Sequence, residues 1–144
     1  MVKKYFPEIL FSSIVFLVVI LDQLTKYLIL KFNPNLTLNF LKIHLVKNTG
    51  AGFGILKDYT WLLDLISLVV VVFLICYYPK ITKEKFSQIL AALFLGGTIG
   101  NLIDRLLRKF VVDFIDFSFW PAFNIADASI TIGAIGLIIY FWKK

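Results

Sequence analysis

Four long apolar blocks, at residues 9–30, 61–78, 86–107 and 124–142, constrain this chain more than any other feature. Read as a helix rising about 1.5 Å per residue, the first block covers roughly 33 Å, enough to cross a hydrocarbon core. The blocks are continuous, whereas a helix lying on a soluble core carries an apolar stripe on one face only. Composition agrees: 60% of the 144 residues are hydrophobic and mean hydropathy is +0.87, against about 45–50% apolar in ordinary soluble domains. The chain is expected to be an integral membrane protein, mainly α, with four transmembrane helices in one domain over 1–144.

The first block ends in Asp22-Gln23-Leu24-Thr25-Lys26 and not in the small residues of a cleavage site, so it is expected to be retained. Pro79 and the basic stretch 80–85 close the second block. Trp61, Tyr77, Tyr78, Tyr140 and Trp142 stand near block ends, where amphipathic rings settle at the lipid–water boundary.

The net charge of +6 admits an anionic membrane surface or a nucleic acid as partner. Lys3, Lys4, Lys80, Lys83, Lys85, Lys143 and Lys144 all flank apolar blocks, and no separate basic tract with interleaved aromatics exists. Membrane lipids are therefore the expected partners, and no nucleic acid. Short basic flanks mark the cytoplasmic side, which puts both termini and the 79–85 connection inside. Segments 31–60 and 108–123 then lie outside, with Lys31, Lys42, Lys47, Lys57, Arg108 and Lys109 spread over greater length.

Both outer segments exceed simple turns. Residues 36–47 are rich in β-branched and aliphatic side chains and lead into the glycine-containing run Lys47-Asn48-Thr49-Gly50-Ala51-Gly52-Phe53-Gly54, which predicts a small extracytoplasmic β-sheet. Residues 110–120 mix Val, Ile, Phe and Trp with Asp113 and Asp116, and are expected to lie along the membrane interface.

An ionisable side chain at bilayer depth costs about 2.5–3.5 kcal/mol or more, so each needs a partner, a wet cavity or a function. Asp22, Lys26, Asp64, Asp104, Arg105, Asp113 and Asp127 all map to the outer halves of spans or to the outer segments. Asp22 and Lys26 stand at i, i+4, the order that favours an ion pair. In the third span, Gly96, Gly97 and Gly100 permit close helix approach, and Asn101, Asp104 and Arg105 form a polar patch directed at the bundle. Asn124 and Asp127 open the fourth span, where a helix cap accounts more readily for one of them than for both.

The only histidine, His44, stands in a strand-like context outside the spans, and Ser12 and Ser13 fall at the opposite end from the polar cluster. Histidine-based nucleophilic sites and Ser–Lys chemistry are thus disfavoured. The single cysteine, Cys76, allows no internal disulfide and no multi-cysteine zinc site, and reads as a small apolar residue in a helix. Paired carboxylates remain: one ionised to activate water, the other kept protonated by its neighbour's charge to donate to a carbonyl oxygen. The alternative use of the same oxygens, a divalent cation site, lacks an established acidic-loop spacing.

In order, Asp22-Gln23-Leu24-Thr25-Lys26, Asn48-Thr49-Gly50-Ala51-Gly52-Phe53, Gly96-Gly97-Thr98-Ile99-Gly100-Asn101-Leu102-Ile103-Asp104-Arg105, Val111-Val112-Asp113-Phe114-Ile115-Asp116-Phe117 and Phe123-Asn124-Ile125-Ala126-Asp127 resemble the bacterial lipoprotein signal peptidase (signal peptidase II) family. Five motifs in order are far more specific than any one. The resemblance implies an aspartyl endopeptidase that cuts prolipoproteins before their diacylglyceryl-modified cysteine, at the outer face of the bacterial cytoplasmic membrane. It implies Asp113 and Asp127 as the catalytic pair, with Asp22, Lys26, Asn48, Gly50, Gly97, Asn101, Asp104, Arg105 and Asn124 supporting the pair or the substrate. No metal or organic cofactor is implied. Gly52 departs from the family's more usual alanine. A small proton-coupled transporter is the rival reading, but such proteins hold ionisable groups near the midplane, often within internal repeats, and neither feature is evident.

Overall fold

The computed structural model describes residues 2–50, 59–78 and 84–143, with side chains from residue 8 onward. The Ala51-Gly52-Phe53-Gly54 part of the glycine-containing run, Lys57 and the 79–83 connection lie outside the described residues.

Seven elements follow one another: α1 (Val2–Phe32), β1 (Asn35–Leu38), β2 (Leu41–Asn48), α2 (Thr60–Tyr77), α3 (Lys85–Arg108), β3 (Val111–Asp116) and α4 (Ile125–Trp142). All four helices are long and apolar enough to cross a membrane. Their exposed faces carry large hydrophobics such as Phe16, Leu17, Val69, Phe73 and Ile138, which lipid and not water would cover.

The third helix is the hub. The main helix contacts are those of α3 with α4, α1 and α2, and α3 alone is buried along most of its apolar stretch. Its glycines set the spacing. A Cβ on Gly97 would come within 2.4 Å of the Ala126 carbonyl oxygen on α4, and one on Gly96 within 2.9 Å of Val18 Cβ on α1. At one end Phe11, Leu74, Ala91, Ala92 and Leu95 form an apolar core from three helices, and the Phe11 and Tyr78 rings approach to 4.0 Å.

At the other end the three strands form an antiparallel sheet in the order β1-β2-β3. The expected sheet is present, but residues 110–120 do not simply lie along the interface. Val111–Asp116 is its third strand, with Val46 opposite Asp113 and Asn48 opposite Val111, and an irregularity between Ile43 and Val46. The reason is local: β-branched and aromatic residues fit a pleated strand, and pairing with β2 satisfies backbone groups that burial removes from water. Val111, Val112, Asp113 and Phe114 are all buried, with Ile29, Val112 and Phe114 forming a second core beneath the sheet. Only 117–123 runs on as an irregular, aromatic segment.

Candidate active site

The turn from α3 into β3 brings the polar residues together. Lys109 ends α3 in a left-handed conformation (φ 67°), its N–H donating to the Arg105 carbonyl. The chain then reverses, and the Val112 N–H donates to Asp104 Oδ2 at 2.9 Å. Asp113 follows on the strand, 1% exposed.

Deeper between α1 and α3 lies a charge cluster. Lys26 and Asp22 form the expected i, i+4 ion pair at 2.8 Å, both fully buried, and the same ammonium reaches Asp104 Oδ2 at 3.1 Å and Asn101 Oδ1 at 3.0 Å. Its three protons thus have three acceptors, the condition under which a buried cation is tolerable. Asp22 Oδ1 accepts from the Ala126 N–H of α4 at 3.0 Å. Arg108 pairs with Asp104, and Gln23 donates to Asp104 Oδ1 at 3.1 Å and to the Gly100 carbonyl at 3.0 Å. Two carboxylates meet two cations, so the cluster is neutral as a unit.

Neither Gln23 nor Arg108 was among the expected site residues. Their positions offered a signal: Gln23 adjoins Asp22, and Arg108 stands at i+4 from Asp104, the spacing of a helical ion pair.

From this cluster two asparagines lead to the outer carboxylates. Asn101 donates to Asp127 Oδ1 at 2.7 Å. Asn124 donates to Asp113 Oδ1 at 2.7 Å and, at the longer distance of 3.2 Å, to Asn101 Oδ1. Asp113 Oδ2 accepts from Asn48 at 2.9 Å, and Asn48 Oδ1 is itself oriented by the Gly50 N–H at 2.9 Å. Burial and the neighbouring Asp127 charge push the Asp113 carboxyl up to about 7, against the lowering effect of its hydrogen bonds from Asn48 and Asn124.

One expectation fails at this point. A cap was expected to account more readily for one of Asn124 and Asp127 than for both, yet the two make a full capping box: Asn124 accepts from the Asp127 N–H at 2.8 Å and Asp127 accepts from the Asn124 N–H at 3.2 Å. Helix initiation therefore explains both residues locally. Their remaining groups, the Asn124 amide and Asp127 Oδ1, face the other polar residues instead.

A cavity of about 230 Å³ opens beside Asp127, lined also by Asn48, Asn101, Arg105, Trp120 and Phe123. An apolar groove of about 320 Å³ shares Trp120, Phe123 and Asp127 and continues along Ala128, Thr131 and Ile132 of α4. Every expected site residue thus lies in one connected region, Gly97 by setting the α3–α4 contact and Arg105 at the cavity wall. Asp64 stands apart on α2. His44 pairs with Asp116 at 3.0 Å on the sheet, away from the Asp113–Asn124–Asp127 network. Two carboxylates joined by one amide residue, one of them titrating near neutrality, can hold a single proton between them and serve as base and acid in turn.

Residues 14–143 match the family described as signal peptidase (SPase) II. A lipoprotein signal peptidase of Halothermothrix orenii is 41% identical over 91% of this chain and 94% of its own length, and one of Thermodesulfovibrio yellowstonii is 42% identical over 92% of each. A solved bacterial membrane enzyme structure superposes with a TM-score of 0.87 at 36% identity, covering 92% of this chain and 87% of that one.

Proposed function

The chain belongs to the signal peptidase II family, and we propose that this membrane peptidase of lipoprotein precursors is an aspartic endopeptidase with Asp113 and Asp127 as its catalytic pair. The observation that carries the proposal is the Asp113–Asn124–Asp127 connection: a buried carboxyl raised to about 7 accepts from the Asn124 amide, while the Asn124 backbone N–H donates to a second carboxyl that faces a cavity.

In this reading the ionised member of the pair takes a proton from water, and the water oxygen adds to the scissile carbonyl carbon. The protonated member donates to the carbonyl oxygen, giving a gem-diol; the C–N bond then breaks as the nitrogen receives the proton taken from water and the other carboxylate recovers a proton from a gem-diol hydroxyl. Asn101, Asn124 and Asn48 hold the carboxylates in place, and the Asp22–Lys26–Asp104 cluster fixes Asn101. The chemistry calls for no metal or organic cofactor.

The substrate in this reading is a diacylglyceryl-modified prolipoprotein, cut before the lipid-bearing cysteine. The apolar groove beside Asp127 suits an acyl chain, and the aromatic segment 117–123 suits the membrane surface. The basic flanks support cytoplasmic termini and a site near the outer face of the bacterial cytoplasmic membrane.

The test is incubation of detergent-purified protein with a synthetic diacylated prolipoprotein and its unlipidated counterpart. Cleavage of the lipidated form is expected, with little of the other. Asp113→Asn and Asp127→Asn should each slow turnover by about 10²–10⁴-fold, and the double variant should be scarcely slower than either. Near-normal cleavage by either folded single variant removes that residue from the pair.

A further inference from the structure

A further groove, of about 430 Å³, lies at the end of α3 and α4 remote from Asp127, lined by Phe86, Gly136, Ile139, Tyr140 and Lys143. Lys143 stands roughly 24 Å along α4 from Asp127 at about 1.5 Å per residue, which puts this groove at the other membrane surface. Its shape follows from the packing. Gly136 sits directly on α3, where a Cβ would come within 2.5 Å of Leu90, so the floor carries no side chain from α4 at that level. Phe86 and Tyr140 stand at its sides with ring centroids 6.3 Å apart, and Ile139 is half exposed.

Only two of the lining side chains are polar, and both lie toward the helix end. The Tyr140 hydroxyl donates to Glu84. Lys143 takes part in no ion pair among the described residues. In sequence, the segments flanking α3 and α4 at this end, 79–86 and 141–144, hold Lys80, Lys83, Lys85, Lys143 and Lys144 against one acid, Glu84. A neutral lipid would match the apolar walls and leave this excess of cation unanswered, and a free phosphate would do the reverse. A long apolar chain with an anionic head satisfies both, the pairing expected of a basic cleft between membrane helices.

We propose that this groove is a binding site for an anionic phospholipid of the adjoining leaflet, with an acyl chain lying over Gly136 between Phe86 and Ile139 and the phosphate at the Lys143 ammonium. None of the lining residues belongs to the Asp113–Asn124–Asp127 network, so the proposal is independent of which residues carry the peptidase chemistry.

The experiment is native mass spectrometry of the detergent-purified full-length protein, titrated with dioleoyl phosphatidylglycerol and, separately, with dioleoyl phosphatidylcholine. One phosphatidylglycerol should be retained more tightly than phosphatidylcholine, by about fivefold or more, the effect of a single basic residue at a membrane surface. Lys143→Gln should remove that preference, whereas Lys31→Gln, at the opposite end of the bundle, should keep it. Ile139→Trp, which fills the groove and leaves Lys143 in place, should weaken retention of phosphatidylglycerol as well. Both substituted side chains at this end are exposed, so thermal unfolding without added lipid should match the parent. Equal retention of the two lipids overturns the proposal, as does an equal loss in the Lys143 and Lys31 variants, which would mark a general surface effect. Full retention in Ile139→Trp, or displacement of the lipid by millimolar glycerol phosphate, would show a headgroup contact without the groove and overturn it too.

Discussion

The side-chain amide of Asn124 donates to Asp113 Oδ1 at 2.7 Å, so the residue that caps α4 also holds a carboxylate on the neighbouring strand. The two tasks use different atoms of one side chain and can be separated. Asn124→Ser should keep the cap, since serine and asparagine are comparable there, whereas Asn124→Ala should cost about 0.5–2 kcal/mol of stability. Both should lose the bond to Asp113, and a hydrogen bond to a charged group contributes about 1.5–3 kcal/mol. Turnover should therefore fall about tenfold or more in both variants, while thermal unfolding separates them.

The Asp113 carboxyl, raised to about 7, makes stability depend on pH. Between the ordinary carboxylate range and neutrality the folded chain keeps a proton that the unfolded chain has released. Stability contributed by this group is full at acid pH and declines as pH rises, levelling off above 7. Asp113→Asn removes the dependence. Its Tm relative to the parent should rise between pH 5 and pH 8, whatever the offset at pH 5; a constant difference across that range would count against the shift.

Asp116 behaves oppositely. The hydrogen bond from His44, then that from the Ser118 N–H, hold its carboxyl below the usual range. Its stabilising contribution is present above that range and is lost as pH falls through the lowered value. Asp116→Asn should unfold at lower temperature than the parent at pH 6, with the gap narrowing in acid, and cleavage at pH 7 should remain largely intact.

Lys26 balances Asp22 and Asp104, all three side chains being fully buried. Lys26→Met leaves those carboxylates with Arg108 alone and should destabilise the fold by about 3–5 kcal/mol, the usual effect of breaking a buried pair. Adding Asp22→Asn should recover part of the loss. A recovery of folded yield in detergent by the double variant over the single one is the result to look for.

Topology can be read by labelling. In a Cys76→Ala background, an impermeant thiol reagent applied to intact cells should modify Lys42→Cys and spare Lys143→Cys. Labelling at position 143 would place the C-terminus outside.

Span positions were legible because continuous apolar length is a one-dimensional property: residues 61–78 and 86–107 correspond to Thr60–Tyr77 and Lys85–Arg108. The Asp22–Lys26 pair was legible for a similar reason, since helical spacing alone joins its members. Long-range geometry was not. That Lys26 also reaches Asp104, and that Asn101 and Asn124 link the outer carboxylates, depends on how α1, α3 and α4 dock. Residues 111–116 carried strand-like composition, but their pairing partner lies far earlier in the chain, and composition alone could not distinguish a sheet edge from an interfacial segment.

The neutral bookkeeping of the Asp22–Lys26 pair also matters to how the protein is made. Each charge alone would oppose entry of α1 into the bilayer by about 2.5–3.5 kcal/mol. Set one helical turn apart, they can enter already matched, before α3 has been synthesised. When α3 arrives, Lys26 gains Asp104 and Asn101 without leaving Asp22, and the backbone N–H of Ala126 on the last helix adds to Asp22 afterwards. The first helix thus carries its own countercharge, and in the finished fold the later helices add bonds to a pair that helical spacing alone already matches.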